Sequence, residues 1–74
     1  MNTREILTEA ERAQIGANLS REAAYNRGRA DAYTLMAALF EKIGFCGEEY
    51  RKQAEEMQAE AGRLDAMKYA ILEG

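Results

Sequence analysis

The 74-residue chain has no proline, no histidine, no tryptophan and one cysteine. Each absence removes a class of protein. Without proline nothing forces a kink or a stop, and because alanine, glutamate, arginine, leucine, methionine and glutamine dominate, helix is the expected state almost throughout. The lone thiol, Cys46, excludes an internal disulfide, and the lack of histidine excludes zinc clusters of the usual ligand spacing. It also removes the commonest general base, so an enzyme is not expected and neither a metal nor a cofactor is called for. No apolar run reaches the roughly 18 residues of a membrane span, and MNTREILTEAER lacks the hydrophobic stretch of a signal peptide. The chain therefore reads as a cytoplasmic protein with no membrane partner.

What is present is a single domain near the size at which one core barely offsets chain entropy. With disulfides and zinc excluded, self-assembly is the remaining common remedy. Ten basic and thirteen acidic residues give a net charge of −3, which argues against general nucleic-acid binding. The charge is nevertheless zoned: Arg12, Arg21, Arg27 and Arg29 crowd the first half, and Glu41, Glu48, Glu49, Glu55, Glu56 and Glu60 the second. Such a protein can bind a small anion, or its own copy, without attracting polyanions.

Thr8-Glu9-Ala10-Glu11 is a capping box, so residues 1–7 form an N-terminal arm and residues 8–74 the domain. Helix is expected from Thr8 to about Ile43, through Gly16 and Gly28. IGFCGEE, residues 43–49, is the one convincing break, with Gly44 as C-cap and Gly47 before the next helix. A second helix is then expected from about Glu48 to Leu72. Its 4-3 spacing, Tyr50, Ala54, Met57, Ala61, Leu64, Lys68 and Ile71, is a coiled-coil seam with alternate alanines. The first helix keeps that rhythm at Ile15, Leu19, Tyr33, Met36, Phe40 and Ile43, but its middle positions are Glu22, Asn26 and Arg29. Beside this stripe runs a row of small residues, Gly16, Ser20, Ala23, Ala30, Thr34 and Ala37, on which a further helix could lie closely. The expected fold is all-α, an antiparallel hairpin with a long first and shorter second helix, assembling into an oligomeric bundle.

Gly28-Arg29-Ala30-Asp31-Ala32 recurs as Gly62-Arg63-Leu64-Asp65-Ala66. If the turn centres near Phe45, residues whose numbers sum to about 90 lie level. Gly28 then meets Gly62 in a close crossing, Arg29 comes near Asp65, and Arg63 near Asp31. Around that level gather Tyr25, Asn26, Arg27 and Arg29 from the first helix and Arg63, Asp65 and Tyr69 from the second. Guanidinium groups bind phosphate in a fork, tyrosine rings stack on bases, and amide or carboxylate groups read polar edges. There is no glycine-rich phosphate loop, so side chains would have to do the holding. Cys46 reads as a small apolar filler, and Met36, Met57 and Met67 as core.

A proline-free helical hairpin carrying YNRGRADAY resembles the small accessory proteins encoded by bacteriophages. Some of these counter bacterial immunity, as inhibitors of a host protein or as oligomeric helical sponges for nucleotide immune signals. The resemblance implies a non-enzymatic, homo-oligomeric binding protein that sequesters a small phosphorylated nucleotide in the host cytoplasm. The alternative is a protein-interaction module that docks a helical face on a host defence protein. A coiled-coil subunit without any ligand is a third reading.

Overall fold

The structure, a computed structural model, describes residues 6–73, so most of the expected arm lies outside the described residues. It is a hairpin of two helices, α1 (Glu9–Lys42) and α2 (Glu48–Glu73), packed against each other along their lengths. The result is a rod of 56 × 18 × 11 Å. Ile6 stands 63 % exposed, so the hairpin does not cover it.

Both ends of α1 are set by local chemistry. The Glu11 amide donates to the Thr8 hydroxyl at 3.1 Å, and the Thr8 amide to the Glu11 carboxylate at 2.9 Å. This closes the expected capping box and holds the Glu11 carboxyl below its ordinary pKa, chiefly through the Thr8 backbone amide. At the other end Gly44 takes φ 89°, the left-handed region where glycine alone is unstrained. The Phe45 amide then donates back to the Phe40 carbonyl at 2.8 Å and the Gly44 amide to the Glu41 carbonyl at 3.1 Å. The Phe40 and Phe45 rings meet edge to face across this Schellman stop. α1 runs unbroken through Gly28.

The seam of α2 is the one its spacing predicts: Tyr50, Ala54, Met57, Ala61, Leu64, Lys68 and Ile71 are all buried or half-buried. The seam of α1 differs from expectation. Its buried line is Gly16, Ala23, Ala30 and Ala37, one residue in seven and all from the small row. From the expected stripe, Leu19, Asn26, Tyr33 and Phe40 are half-buried flanks, whereas Glu22, Arg29, Met36 and Ile43 are exposed. The reason is distance: alanines 54 and 61 of α2 draw the helices together, and only residues without reach fit on the line of closest approach. The small row is therefore α2's own bed.

Gly47 shows how close that approach is. A Cβ built there would lie 2.6 Å from the Ala37 carbonyl oxygen. Gly28 and Gly62 behave oppositely: both are exposed, and a Cβ on either would meet nothing within 4 Å. The expected glycine crossing is thus replaced by an alanine one. Among the described residues no side chain larger than alanine is fully buried; Leu64, at 4 %, comes nearest. Each buried methyl contributes only about 0.8 kcal/mol, so the core of one hairpin is thin.

Candidate functional site

The two flanks of the seam carry different chemistry. On one, Tyr33 stacks on Tyr50 with centroids 6.0 Å apart, and Tyr50 on Phe40 at 5.2 Å. On the other, Arg27 pairs with Asp65 and Arg51 with Glu41, linking the helices through exposed ion pairs. These are the aromatic face and the ion-pair face. Residues along a helix are about 100° apart, so Arg27 and Arg29, roughly 200° apart, cannot serve the same side.

Arg29 belongs to the aromatic face. Its Nη1 donates to the Tyr25 hydroxyl at 3.3 Å and its Nη2 to the Tyr33 hydroxyl at 2.6 Å. The guanidinium carbon lies 5.7 Å from one ring centroid and 5.5 Å from the other. The spacing i−4 and i+4 brings this about, since residues four apart are neighbours on a helix surface. The two tyrosines raise the Arg29 pKa, Tyr33 first through its hydrogen bond. Neither hydroxyl brings a formal charge, so the arginine keeps its full positive charge in a fixed pose. A guanidinium has five N–H donors, and the tyrosines engage Nη1 and Nη2 once each.

The other sequence-predicted residues are distributed around this clamp. Asn26, half-buried on the aromatic flank, donates from Nδ2 to the Glu22 carbonyl at 2.8 Å. Beside it Asn18, Arg21, Glu22 and Tyr25 line a hollow of about 390 Å³. Arg63 is held by Glu60 in a two-point contact, at 2.9 Å from Nε and 2.5 Å from Nη2, and touches the Met67 sulfur at 3.2 Å. That pairing raises the Arg63 pKa and lowers that of Glu60. The expected partners are therefore corrected: Asp65 takes Arg27 and not Arg29, and Arg63 takes Glu60 and not Asp31. The register is close to the one assumed; what exchanges one arginine for the other is the face, since Asp65 lies with Arg27 on the ion-pair side and Arg29 points to the aromatic side.

Tyr25, Asn26 and Arg29 thus share a region of α1, which the polar residues of both helices make into a waist. Arg27 and Asp65 occupy the opposite face and neutralise each other. Tyr69, 68 % exposed, stands nearer the open end with Asp65, Lys68, Leu72 and Glu73 around a hollow of about 290 Å³. The residue that sequence reasoning placed elsewhere is Tyr33: assigned to the seam, it also supplies the shorter hydrogen bond to Arg29. The signal lay in YNRGRADAY itself, whose arginine stands four residues from each bounding tyrosine.

Among the described residues no three histidine, cysteine, aspartate or glutamate side chains are grouped to hold a metal ion. Cys46 is exposed in the turn, so it fills no gap, contrary to the expected small apolar filler. Among the described residues no helix is long and apolar enough to cross a membrane. No protein-family model matches the chain, and no curated protein or solved structure matches it either.

Proposed function

We propose that this is a non-enzymatic binding protein, acting as an oligomer of hairpins, that sequesters a small phosphorylated nucleotide signal at its waist. The setting that fits is the cytoplasm of a bacterium infected by the phage encoding it. The observation that carries the reading is Arg29, held between Tyr25 and Tyr33 and in no ion pair with a carboxylate among the described residues. A guanidinium already fixed in place loses little freedom when it takes a phosphate, and the flanking rings offer faces for a base. Asn26 keeps its side-chain oxygen for a polar edge, because the nitrogen is the atom committed to Glu22. Arg63, on the same level of α2, is a second cation, although a ligand must compete with Glu60 for it.

Calorimetric titration with cyclic dinucleotides, cyclic trinucleotides and ADP-ribose derivatives tests this. One class is expected to bind with a Kd below about 10 µM, and no binding by any of them at tens of micromolar overturns the reading. A charge-assisted hydrogen bond is worth about 1.5–3 kcal/mol, so Arg29→Ala should weaken binding roughly 10- to 100-fold. Its thermal unfolding should stay near that of the parent, since Arg29 joins no other element.

A second reading rests on a different observation. Leu35, Leu39 and Phe45 are 60 %, 49 % and 62 % exposed near the turn, and Met36, Leu39, Phe40, Lys42 and Ile43 line an apolar hollow of about 230 Å³. A host protein docked there would make the chain an inhibitor. A stoichiometric host protein that co-purifies with the parent and is lost with Leu39→Glu would favour this version.

A further inference from the structure

Large apolar side chains are distributed unevenly about the seam. On the aromatic face Leu19, Tyr33 and Phe40 of α1 and Tyr50, Met57 and Ile71 of α2 recur at multiples of seven residues, all of them half-buried. Beyond them Met36 and Met67 are each 39 % exposed. The matching positions on the other face hold Arg27, Thr34 and Glu41 of α1 and Arg51, Gln58 and Asp65 of α2, all exposed. A hairpin whose own core is alanine and one leucine thus carries most of its bulky residues along one side, covered from one direction only, with Leu35 and Leu39 standing exposed elsewhere on α1.

We propose that the aromatic face is covered by the same face of a second copy of this chain, so that two hairpins form a four-helix unit with their waists enclosed between them. Three features point to a second copy over another occupant. The broad outline of the hairpin is 56 by 18 Å between Cα atoms, roughly 1,000 Å² and so large enough for the ~800 Å² per partner of a stable protein interface. It is also patterned for a two-fold axis, with apolar side chains towards both ends and polar ones between. A rotation at the level of the waist lays apolar on apolar and waist on waist, as an isologous contact demands. Lastly, the waist carries both signs on this side, Glu22 and Glu60 with Arg29 and Arg63, so it complements its own copy as an anionic surface or an acidic protein would not.

The pairing rests on the distribution of side chains and stands without the ligand reading. Where both hold, the second copy turns the open Arg29 clamp into a closed chamber with two such clamps. A ligand carrying more than one phosphate would suit it best.

Sedimentation equilibrium of the full chain at tens of micromolar should give the mass of two chains or an even multiple. A monomer or an odd-numbered assembly overturns the pairing. Met36→Glu combined with Met67→Glu should give monomers, and Ala38→Glu, an exposed position away from the face, should leave the mass unchanged. Since the double variant can fail to fold, a photo-crosslinking residue at position 36 or at 38 gives a readout in an otherwise native chain. Chain-to-chain product is expected from position 36 and not from 38, and the reverse result overturns the assignment of the face. A monomer that binds nucleotide would sink the pairing and spare the ligand reading; a dimer that binds none would do the opposite.

Discussion

Near the turn, the two helices are locked by shape: Phe40, Phe45 and Tyr50 interleave, and Gly47 lets the α2 backbone touch Ala37. At the waist the same helices meet through Ala23, Ala30, Ala61 and Leu64, while the outward-facing side chains beside them are polar or charged. Aromatic pairs contribute about 0.5–1.5 kcal/mol each beyond their buried area, and exposed ion pairs about 0–1 kcal/mol. The turn is therefore the stabilising half of the hairpin, and the waist is where chemistry is left over. On the proposed reading, in which arginine and tyrosine meet a ligand, the two tasks are separated along the length of the rod.

The largest effect that separates the two regions should come from Gly47→Ala. Its Cβ would stand 2.6 Å from a backbone oxygen and 3.0 Å from the Ala37 Cα, neither of which can rotate aside. Overpacking of this kind costs about 1–3 kcal/mol, and at about 4–8 °C per kcal/mol for a domain this small the loss should be plain in a thermal melt followed by circular dichroism. An unchanged melting temperature would mean that the helices do not approach so closely at the turn.

Gly28→Ala is the matching experiment at the waist, with the opposite sign. Nothing stands within 4 Å of the added methyl, and the residue is inside a helix. Alanine is better than glycine in a helix interior by about 0.8–1 kcal/mol, so the melting temperature should rise. A fall would restore the close crossing at Gly28 that the sequence suggested and the structure replaces.

Those glycines also show how much the sequence could tell. Thr8 with Glu11, and Gly44 ahead of Phe45, act within a few residues, and both caps are legible from their identities alone. The α2 seam is legible because one stripe there is unopposed. In α1 two stripes compete, and hydrophobicity favours the one with Tyr33, Met36 and Phe40. Closeness of approach favours the other, and that depends on alanines of a different helix. Asp65 is misassigned for a different reason: level alone pairs it with Arg29, and Arg27 is as nearly level but stands on the side of α1 that Asp65 faces. The Arg29 clamp, by contrast, depends on positions four residues apart in one helix and could have been read from the chain.

Acid should distinguish the halves most gently. Glu60 at the waist and Glu11 at the start of α1 have carboxyl pKa values lowered in the folded chain, by Arg63 and by Thr8 respectively. A lowered folded-state value means the unfolded chain binds protons more readily. Whatever these groups contribute is present in full above the ordinary glutamate value of about 4.3 and is lost as pH falls through the folded value. Glu11 is exposed and Glu60 half-buried with much of its side chain open to water, so the decline should be small, and Glu60→Gln with Glu11→Gln should flatten it by lowering stability at neutral pH more than in acid. The aromatic stack at the turn is held by ring contacts and not by an ion pair, so the near-ultraviolet signal of Tyr33 and Tyr50 should persist below pH 4 after the waist has lost its Glu60–Arg63 contact. Loss of both signals at one pH would mean that turn and waist unfold as a single unit, with the polar waist contributing more to the hairpin than exposed ion pairs ordinarily do.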